Sequence, residues 1–154
     1  MTMAPAAPVF GQINIVSGDL DKSIAFYRLL GVDTPADRVW RTKTGAHHAN
    51  AVIAVEDGNI HLDFDSPAHT RHWNKGWAGE AGLAGRIVLG FDVASRAEVD
   101  ALHGRIVAAG YRSLQAPWDA FWGARYAVVE DPDGVAVGLM SPISAAHRST
   151  PPNV

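Results

Sequence analysis

The feature that most constrains this chain is that the same order of elements occurs twice along it. In the first half, the segment 10–16 alternates side chains as a strand does. Asp19 then stands where a helix N-cap is expected, apolar residues follow at helical spacing, and Gly31 supplies a stop. These signals predict a strand followed by a helix.

The second half repeats this pattern. The segment 86–93 alternates like a strand, Ser95 and Glu98 form a capping box, and Gly110 follows a helical stripe of apolar residues. The two helix caps, at positions 19 and 95, are separated by half of the 154-residue chain. We therefore infer an internal duplication.

Each predicted helix is followed by three strand-like segments, and a turn joins the last two. The turns read Glu-Asp-Gly at 56–58 and Asp-Pro-Asp-Gly at 131–134, both hairpin signals. The segments are 39–44, 49–55 and 59–64 in the first half and 113–116, 125–130 and 135–140 in the second. The predicted fold class is therefore α+β, with two βαβββ repeats whose curved mixed sheets surround a cleft.

The chain length suits a single domain, for which we predict residues 9–144. The predicted parts are a tail at 1–8, repeat one at 9–65, a linker at 66–85, repeat two at 86–144 and a tail at 145–154.

The composition excludes several kinds of site and partner. The chain has no cysteine, which excludes disulfides, thiolate zinc sites, iron–sulfur clusters and a cysteine nucleophile. Its formal net charge of −3 argues against a nucleic-acid partner. No apolar run approaches the roughly 20 residues that span a bilayer, and the first residues lack the pattern of a signal peptide. We therefore predict a cytoplasmic protein with neither a membrane nor a nucleic acid as partner.

Three segments carry a family resemblance: 19–31 (DLDKSIAFYRLLG), 97–110 (AEVDALHGRIVAAG) and 122–139 (WGARYAVVEDPDGVAVGL). They resemble the vicinal oxygen chelate superfamily, which includes glyoxalase I, extradiol dioxygenases and bleomycin-resistance proteins. The resemblance covers nearly the whole chain and implies the two-repeat fold, but it says little about activity because the superfamily hosts many. It also implies a homodimer whose clefts are completed across the interface.

The metal enzymes of that superfamily hold their ion at four positions, and the resemblance places each position on this chain. Two positions fall on Gln12 and Asp63, whose side chains can bind a metal. The third falls on Val88, or on Arg86 under a two-residue shift, and the fourth falls on Gly138; none of these can. Because half of the ligand set is missing, we expect no tight divalent-metal site and no cofactor.

His61 and Asp63 lie two residues apart on a predicted strand, so both should face the cleft beside Gln12. One interpretation is a metal arrangement of these three residues that resembles a facial triad. A second makes His61 and Asp63 a catalytic acid–base pair. A third makes them polar cleft residues that bond to a ligand or to neighbouring strands. The histidines at 47–48, 69 and 72 are interpreted as solvated residues of loops.

Aromatic side chains are concentrated in the second half and in the linker. We predict that Trp118, Phe121 and Trp122 form a wall on which a flat or conjugated ligand stacks. The linker residues Trp73 and Trp77 are expected in the core instead.

Two arginines are candidates for contacts with an anionic ligand. Arg86 places a cation where the metal enzymes place a ligand to their ion. Arg125 is expected either to bind a carboxylate or phosphate of the ligand or to form a structural salt bridge. The complete set of predicted ligand-binding residues is Gln12, Asn14, Trp40, His61, Asp63, Arg86, Trp118, Phe121, Trp122, Arg125 and Met140.

Three functions are consistent with these observations. The first is a metal-independent protein that sequesters a small, partly aromatic molecule, such as an antibiotic or another secondary metabolite. The second is a lyase, isomerase or dioxygenase that uses Gln12, His61 and Asp63. The third is a regulatory or interaction domain whose cleft is vestigial.

Overall fold

The structure is a computed structural model that describes residues 12–74, 79 and 87–150. Repeat one consists of β1 (Gln12–Val16), α1 (Leu20–Leu29), β2 (Val39–Arg41), β3 (His47–Val55) and β4 (Gly58–Asp65), and a short helix, α2 (Pro67–Trp73), follows it. Repeat two consists of β5 (Val88–Asp92), α3 (Arg96–Ala108), β6 (Arg112–Asp119), β7 (Arg125–Glu130) and β8 (Ala136–Met140). Short 3-10 helices lie at Ala36–Arg38 and Ala145–His147.

Each repeat forms a four-stranded mixed sheet, and the two sheets have the same topology. Sheet one has the order β1-β4-β3-β2 and sheet two the order β5-β8-β7-β6. In each sheet the first and last strands of the repeat pair in parallel, and the other neighbours are antiparallel. The predicted α+β fold with two βαβββ repeats is confirmed, and neither sheet closes on itself.

The caps predicted from the sequence begin both long helices. The Asp19 carboxylate accepts a hydrogen bond from the Lys22 backbone N–H at 3.2 Å, and the Ser95 hydroxyl does the same for Glu98 at 3.2 Å. The helices bury one stripe each, Leu20, Ile24 and Tyr27 on α1 and Val99, Leu102 and Ile106 on α3. These stripes pack against one face of each sheet. The opposite face of each sheet is not covered by a long helix of the described residues.

One hydrophobic core joins the two repeats. Phe26 of α1 packs edge-to-face on Tyr111 of repeat two, with ring centroids 4.8 Å apart. The buried Tyr27 hydroxyl donates to the Asp131 carboxylate at 2.9 Å. Asp133 accepts from the Gly18 backbone N–H at 2.8 Å. The Asp-Pro-Asp-Gly turn of repeat two therefore holds α1 of repeat one.

The predicted linker contains a helix that sequence analysis did not identify. Ser66 caps it by accepting from the His69 backbone N–H at 3.3 Å, and Pro67 stands at its first position, where a missing N–H costs nothing.

In the predicted C-terminal tail, Ser149 donates its N–H to the Phe121 carbonyl at 3.0 Å, so this part of the tail is bonded to the domain.

Several strand bounds differ from the predicted ones, and β2 ends at Arg41 rather than at Thr44. β3 begins at His47 rather than at Ala49, and β6 continues to Asp119, well past the predicted segment 113–116.

Within the described ranges, no helix combines the length and the apolar character needed to cross a membrane.

Candidate functional site

The face of sheet one that points away from α1, here called the polar face, carries a row of polar side chains. Alternation along β4 turns Leu62 and Phe64 into the core and turns His61, Asp63 and Asp65 to the polar face. The neighbouring strands add residues in register: Gln12 and Asn14 lie beside His61 and Asp63 on one side, and Val52, Asn50 and His48 lie beside His61, Asp63 and Asp65 on the other.

Two amide side chains hold the buried carboxylate of Asp63. Gln12 donates its Nε2 to Asp63 Oδ2 at 2.5 Å, and Asn50 donates its Nδ2 to Oδ1. Arg38 donates to the Asn50 amide oxygen at 3.3 Å, which turns the nitrogen of that amide toward Asp63. Both carboxylate oxygens are thus engaged by neutral donors of the chain itself.

The predicted group of Gln12, His61 and Asp63 is brought together on the polar face, where the direct side-chain contact of His61 is with Asn50. The Nδ1 atom of His61 lies 2.9 Å from the Asn50 amide nitrogen, and no hydrogen bond joins His61 to Asp63 in the described part of the chain. The direct contacts therefore match the third interpretation, in which these residues bond to neighbouring strands.

Asp65 forms a second group that sequence analysis missed. Its Oδ2 accepts from Asn14 Nδ2 at 2.8 Å and from Trp73 Nε1 at 3.1 Å. Its Oδ1 lies 2.6 Å from His48 Nδ1 and 3.7 Å from His69 Nε2. Asp65 is only 2% exposed, so these contacts replace its water.

The interpretation of His48 and His69 as solvated loop residues is wrong, because His48 belongs to β3 and His69 to α2. Trp73, expected in the core, is largely exposed and reaches Asp65 through its indole N–H. Two signals were available in the sequence. Asp65 repeats the spacing of Asp63 along one strand, and Ser66 with Pro67 is a helix-start pattern that places His69 in the first turn.

The corresponding face of sheet two, here called the aromatic face, carries small, apolar and aromatic residues together with Asp92. Val88, Gly90 and Asp92 of β5 lie beside Ala136, Gly138 and Met140 of β8. Tyr126 of β7 lies over Gly138: a Cβ built there would be 2.6 Å from the tyrosine hydroxyl oxygen. At Gly90, no described atom lies within 4 Å of such a Cβ.

The predicted aromatic wall is assembled, and Tyr126 extends it. Trp122 is its centre, with ring centroids 5.6 Å from Trp118, 5.1 Å from Phe121 and 5.6 Å from Tyr126, all edge-to-face. Gly123 makes the turn possible, because it has φ 99° and a Cβ there would collide with the Ser144 carbonyl.

The structure separates the remaining predicted ligand-binding residues. Trp40 lies next to His48 across β2 and β3 and packs against His69 at 5.2 Å. Met140 lies next to Tyr126 on the aromatic face. Arg86 and Trp77 lie outside the described residues.

Arg125 forms structural salt bridges, which is one of the two alternatives predicted for it. It alternates with Tyr126 along β7 and so points to the side of α3, where it binds Asp100 at 2.8 Å and Asp119 at 3.1 Å. The hydrogen bond with Asp100 raises the pKa of Arg125. This pairing directs the guanidinium away from the aromatic face.

The comparisons with known proteins concern the whole fold. The model of the Glyoxalase/Bleomycin resistance protein/Dioxygenase superfamily matches residues 9–139. Among solved structures, a glyoxalase/bleomycin resistance protein/dioxygenase family enzyme from Burkholderia phytofirmans PsJN is 20% identical with a TM-score of 0.68, over 85% of this chain and 96% of that chain. A glyoxalase-related enzyme from Fulvimarina pelagi is 24% identical with a TM-score of 0.69, over 90% of this chain and 94% of that chain.

A third similar structure is TnmS3, an antibiotic binding protein from Streptomyces sp. CB03234. It is 22% identical with a TM-score of 0.58, over 90% of this chain and 99% of that chain. Identities this low show a shared fold alone. Among curated proteins, none matches the sequence.

Proposed function

Since the chain belongs to the glyoxalase/bleomycin resistance protein/dioxygenase superfamily, we propose that it binds and sequesters a small, flat, aromatic or conjugated molecule on its aromatic face. Binding in this proposal uses no cofactor and no metal ion at the four positions of the metal enzymes. The class of ligand is that of an antibiotic or a similar secondary metabolite, and the antibiotic-binding neighbour of the same fold supports this choice.

The observation that carries the proposal is the exposed aromatic edge at Trp118, on a sheet face whose opposite edge strand, β5, is left open at Gly90. Val88 of the same strand is half exposed. Trp118, at the edge, remains 37% exposed although it contacts Trp122. A planar ligand that covers this surface removes apolar area from water, which stabilises the complex by about 25 cal/mol per Å² before the entropy cost of association.

The four superfamily positions do not make a suitable donor set for a metal in this chain. Tyr126 fills the space beside Gly138, and Val88 has no donor atom. The Asp63 oxygens already accept from Gln12 and Asn50. A divalent ion would have to displace these contacts and take most of its ligands from water, which supports binding without an ion there.

The proposal includes a homodimer located in the cytoplasm. Ile87 and Val88, adjacent residues at the start of repeat two, are both about half exposed. We infer that a second copy of the chain covers this apolar pair and so encloses the ligand. Sedimentation equilibrium tests the dimer: a mass of one chain at all concentrations would contradict it.

The test of the function compares two exposed tryptophans on different faces. A panel of planar aromatic compounds is titrated against the EDTA-treated protein, with intrinsic fluorescence and thermal shift as readouts. Trp118→Ala removes an indole from the aromatic face, and Trp40→Ala removes a comparably exposed one from the polar face. We expect Trp118→Ala to weaken binding at least about tenfold, equivalent to about 1.4 kcal/mol, and Trp40→Ala to change it less than about twofold.

Two outcomes would contradict the proposed function. Equal losses in both variants would mean that the ligand does not select the aromatic face. Binding that disappears after chelation and returns with a divalent ion would mean that the recognition depends on a metal.

A further inference from the structure

The polar face ends in a group of three side chains, from three elements, that carry atoms able to coordinate a metal ion. His48 of β3, Asp65 of β4 and His69 of α2 each offer one donor atom, and these atoms all lie within 4.8 Å of one another. We propose that they form a binding site for a divalent first-row transition metal of the Zn²⁺ class. This site is separate from the four superfamily positions and from the proposed ligand surface on sheet two.

The donor atoms have the types and spacing that such an ion requires. Two imidazole nitrogens and one carboxylate oxygen suit Zn²⁺ and its neighbours, and a site with three protein ligands keeps a coordination position for water. Tetrahedral Zn²⁺ with bonds of about 2.0 to 2.1 Å separates its ligand atoms by about 3.3 Å. The Asp65 Oδ1 atom lies 2.6 Å from His48 Nδ1 and 3.7 Å from His69 Nε2, on either side of that value.

The two oxygens of Asp65 have different roles. Asn14 and Trp73 both donate to Oδ2 and so fix the plane of the carboxylate. Oδ1 is the atom that faces the two imidazoles. Hydrogen bonds to the remaining atoms of a ligand are what hold the ligands of protein metal sites in place.

The negative charge near the group and the residues that surround it favour the binding of a cation. Asp63 lies two residues before Asp65 on the same face, and the adjacent buried Asn14 Oδ1 accepts no hydrogen bond from the described residues. Trp40 packs on His69 at a centroid distance of 5.2 Å and shields that side. The His48 and His69 side chains are 30% and 24% exposed, which provides an entry path.

This site does not coincide with the superfamily positions. Gln12 and Asp63, which occupy two of those positions, contact each other one row away along the same face. In repeat two, the residue that corresponds to Asp65 by its place in the parallel strand pair is Met140. The internal duplication therefore did not preserve this group in repeat two.

The experiment measures Zn²⁺ binding to the full chain, tag-free and treated with EDTA, by equilibrium dialysis and calorimetry. We expect one equivalent to bind to the unaltered protein. His48→Ala and His69→Ala should each weaken binding at least about tenfold. The matched control is His72→Ala, which removes an exposed histidine from the same short helix and should change affinity less than about twofold.

A fourth variant separates the proposed site from the superfamily positions. Asp63→Asn keeps the side-chain shape and leaves Asp65 intact, so Zn²⁺ binding should persist. Loss of binding in Asp63→Asn with retention in His69→Ala would overturn the proposal, as would the absence of a stoichiometric Zn²⁺ site. Circular dichroism confirms that each variant is folded, and because the aromatic-ligand test is performed in EDTA, failure of either proposal leaves the other unaffected.

Discussion

The polar face of sheet one and the aromatic face of sheet two have the same backbone plan and opposite chemistry. In sheet one, the parallel pair of strands presents Asn14 beside Asp63. At the same place in the parallel pair of sheet two, Gly90 lies beside Gly138. Topology and register are shared by the two repeats, yet one position carries a buried carboxylate and its counterpart carries no side chain at all.

The two faces show that the shared backbone of the repeats determines the direction of each side chain but not its chemistry. On the polar face, the amides of Gln12, Asn14 and Asn50 donate to the carboxylates of Asp63 and Asp65, so these carboxylates already have hydrogen bonds within the chain. On the aromatic face, apolar area remains exposed, and only association can remove it from water. The two proposals assign different kinds of ligand to these faces, an ion to the group around Asp65 on the first and a planar molecule to the second.

The largest expected effect concerns the buried carboxylate of the polar face. Asp65→Ala leaves the partly buried donors of Asn14 and Trp73 without their acceptor and should lower the free energy of unfolding of the metal-free protein by about 3 kcal/mol, measured by urea denaturation. The control is Asp92→Ala, an exposed aspartate on the aromatic face, with an expected change within about 0.5 kcal/mol. Equal effects would mean that the two faces do not differ in their polar contacts.

Removing the centre of the aromatic wall should have the next largest effect. Trp122→Ala eliminates three edge-to-face contacts and should cost about 2 to 3 kcal/mol of unfolding free energy. Trp118→Ala, at the exposed edge of the same wall, should cost less than about 1 kcal/mol in the same assay. A Trp122 variant as stable as the Trp118 variant would show that the wall is not internally packed.

A smaller effect distinguishes the two glycines that share a register position on the aromatic face. Gly138→Ala forces the Tyr126 ring to move and should cost about 1 to 2 kcal/mol, whereas Gly90→Ala enters open space and should cost less than about 0.5 kcal/mol. In a Tyr126→Phe background the cost of Gly138→Ala should fall, because the clashing hydroxyl is gone. An unchanged cost in that background would contradict the placement of Tyr126 over Gly138.

The smallest expected effect concerns the buried junction between the repeats. Burial raises the pKa of Tyr27 well above its ordinary value of about 10, so the folded state holds this proton more tightly than the unfolded state. The associated stability is fully present below pH 10 and is lost as the pH rises above it. Tyr27→Phe should cost about 1 kcal/mol at neutral pH through the lost bond to Asp131 and should flatten this alkaline decrease.

Chemical denaturation from pH 7 to pH 11 measures both effects of this substitution. The difference between the two proteins should narrow above pH 10, because only the unaltered protein loses the tyrosine contribution. Parallel pH profiles for the two proteins would contradict the assignment of that contribution to Tyr27.

The fold and one side of the candidate site were predictable because they depend on local periodicity. The duplicated pattern with its caps at Asp19 and Ser95 predicted both helices, and the spacing of His61 and Asp63 predicted their shared face. The start of α2 was also encoded locally, at Ser66 and Pro67, although its Gly- and Pro-containing surroundings indicated a linker.

Tertiary structure decided which atoms these side chains contact. Alternation with a period of two assigns a side chain to a face, but strand register and rotamer choice select its partner, and both depend on residues distant in sequence. Asn50 rather than His61 therefore engages Asp63, and His48 meets His69 at Asp65. The sequence by itself determined two matching frameworks and the kinds of side chain on each face, and packing across strands decided which of those side chains contact one another.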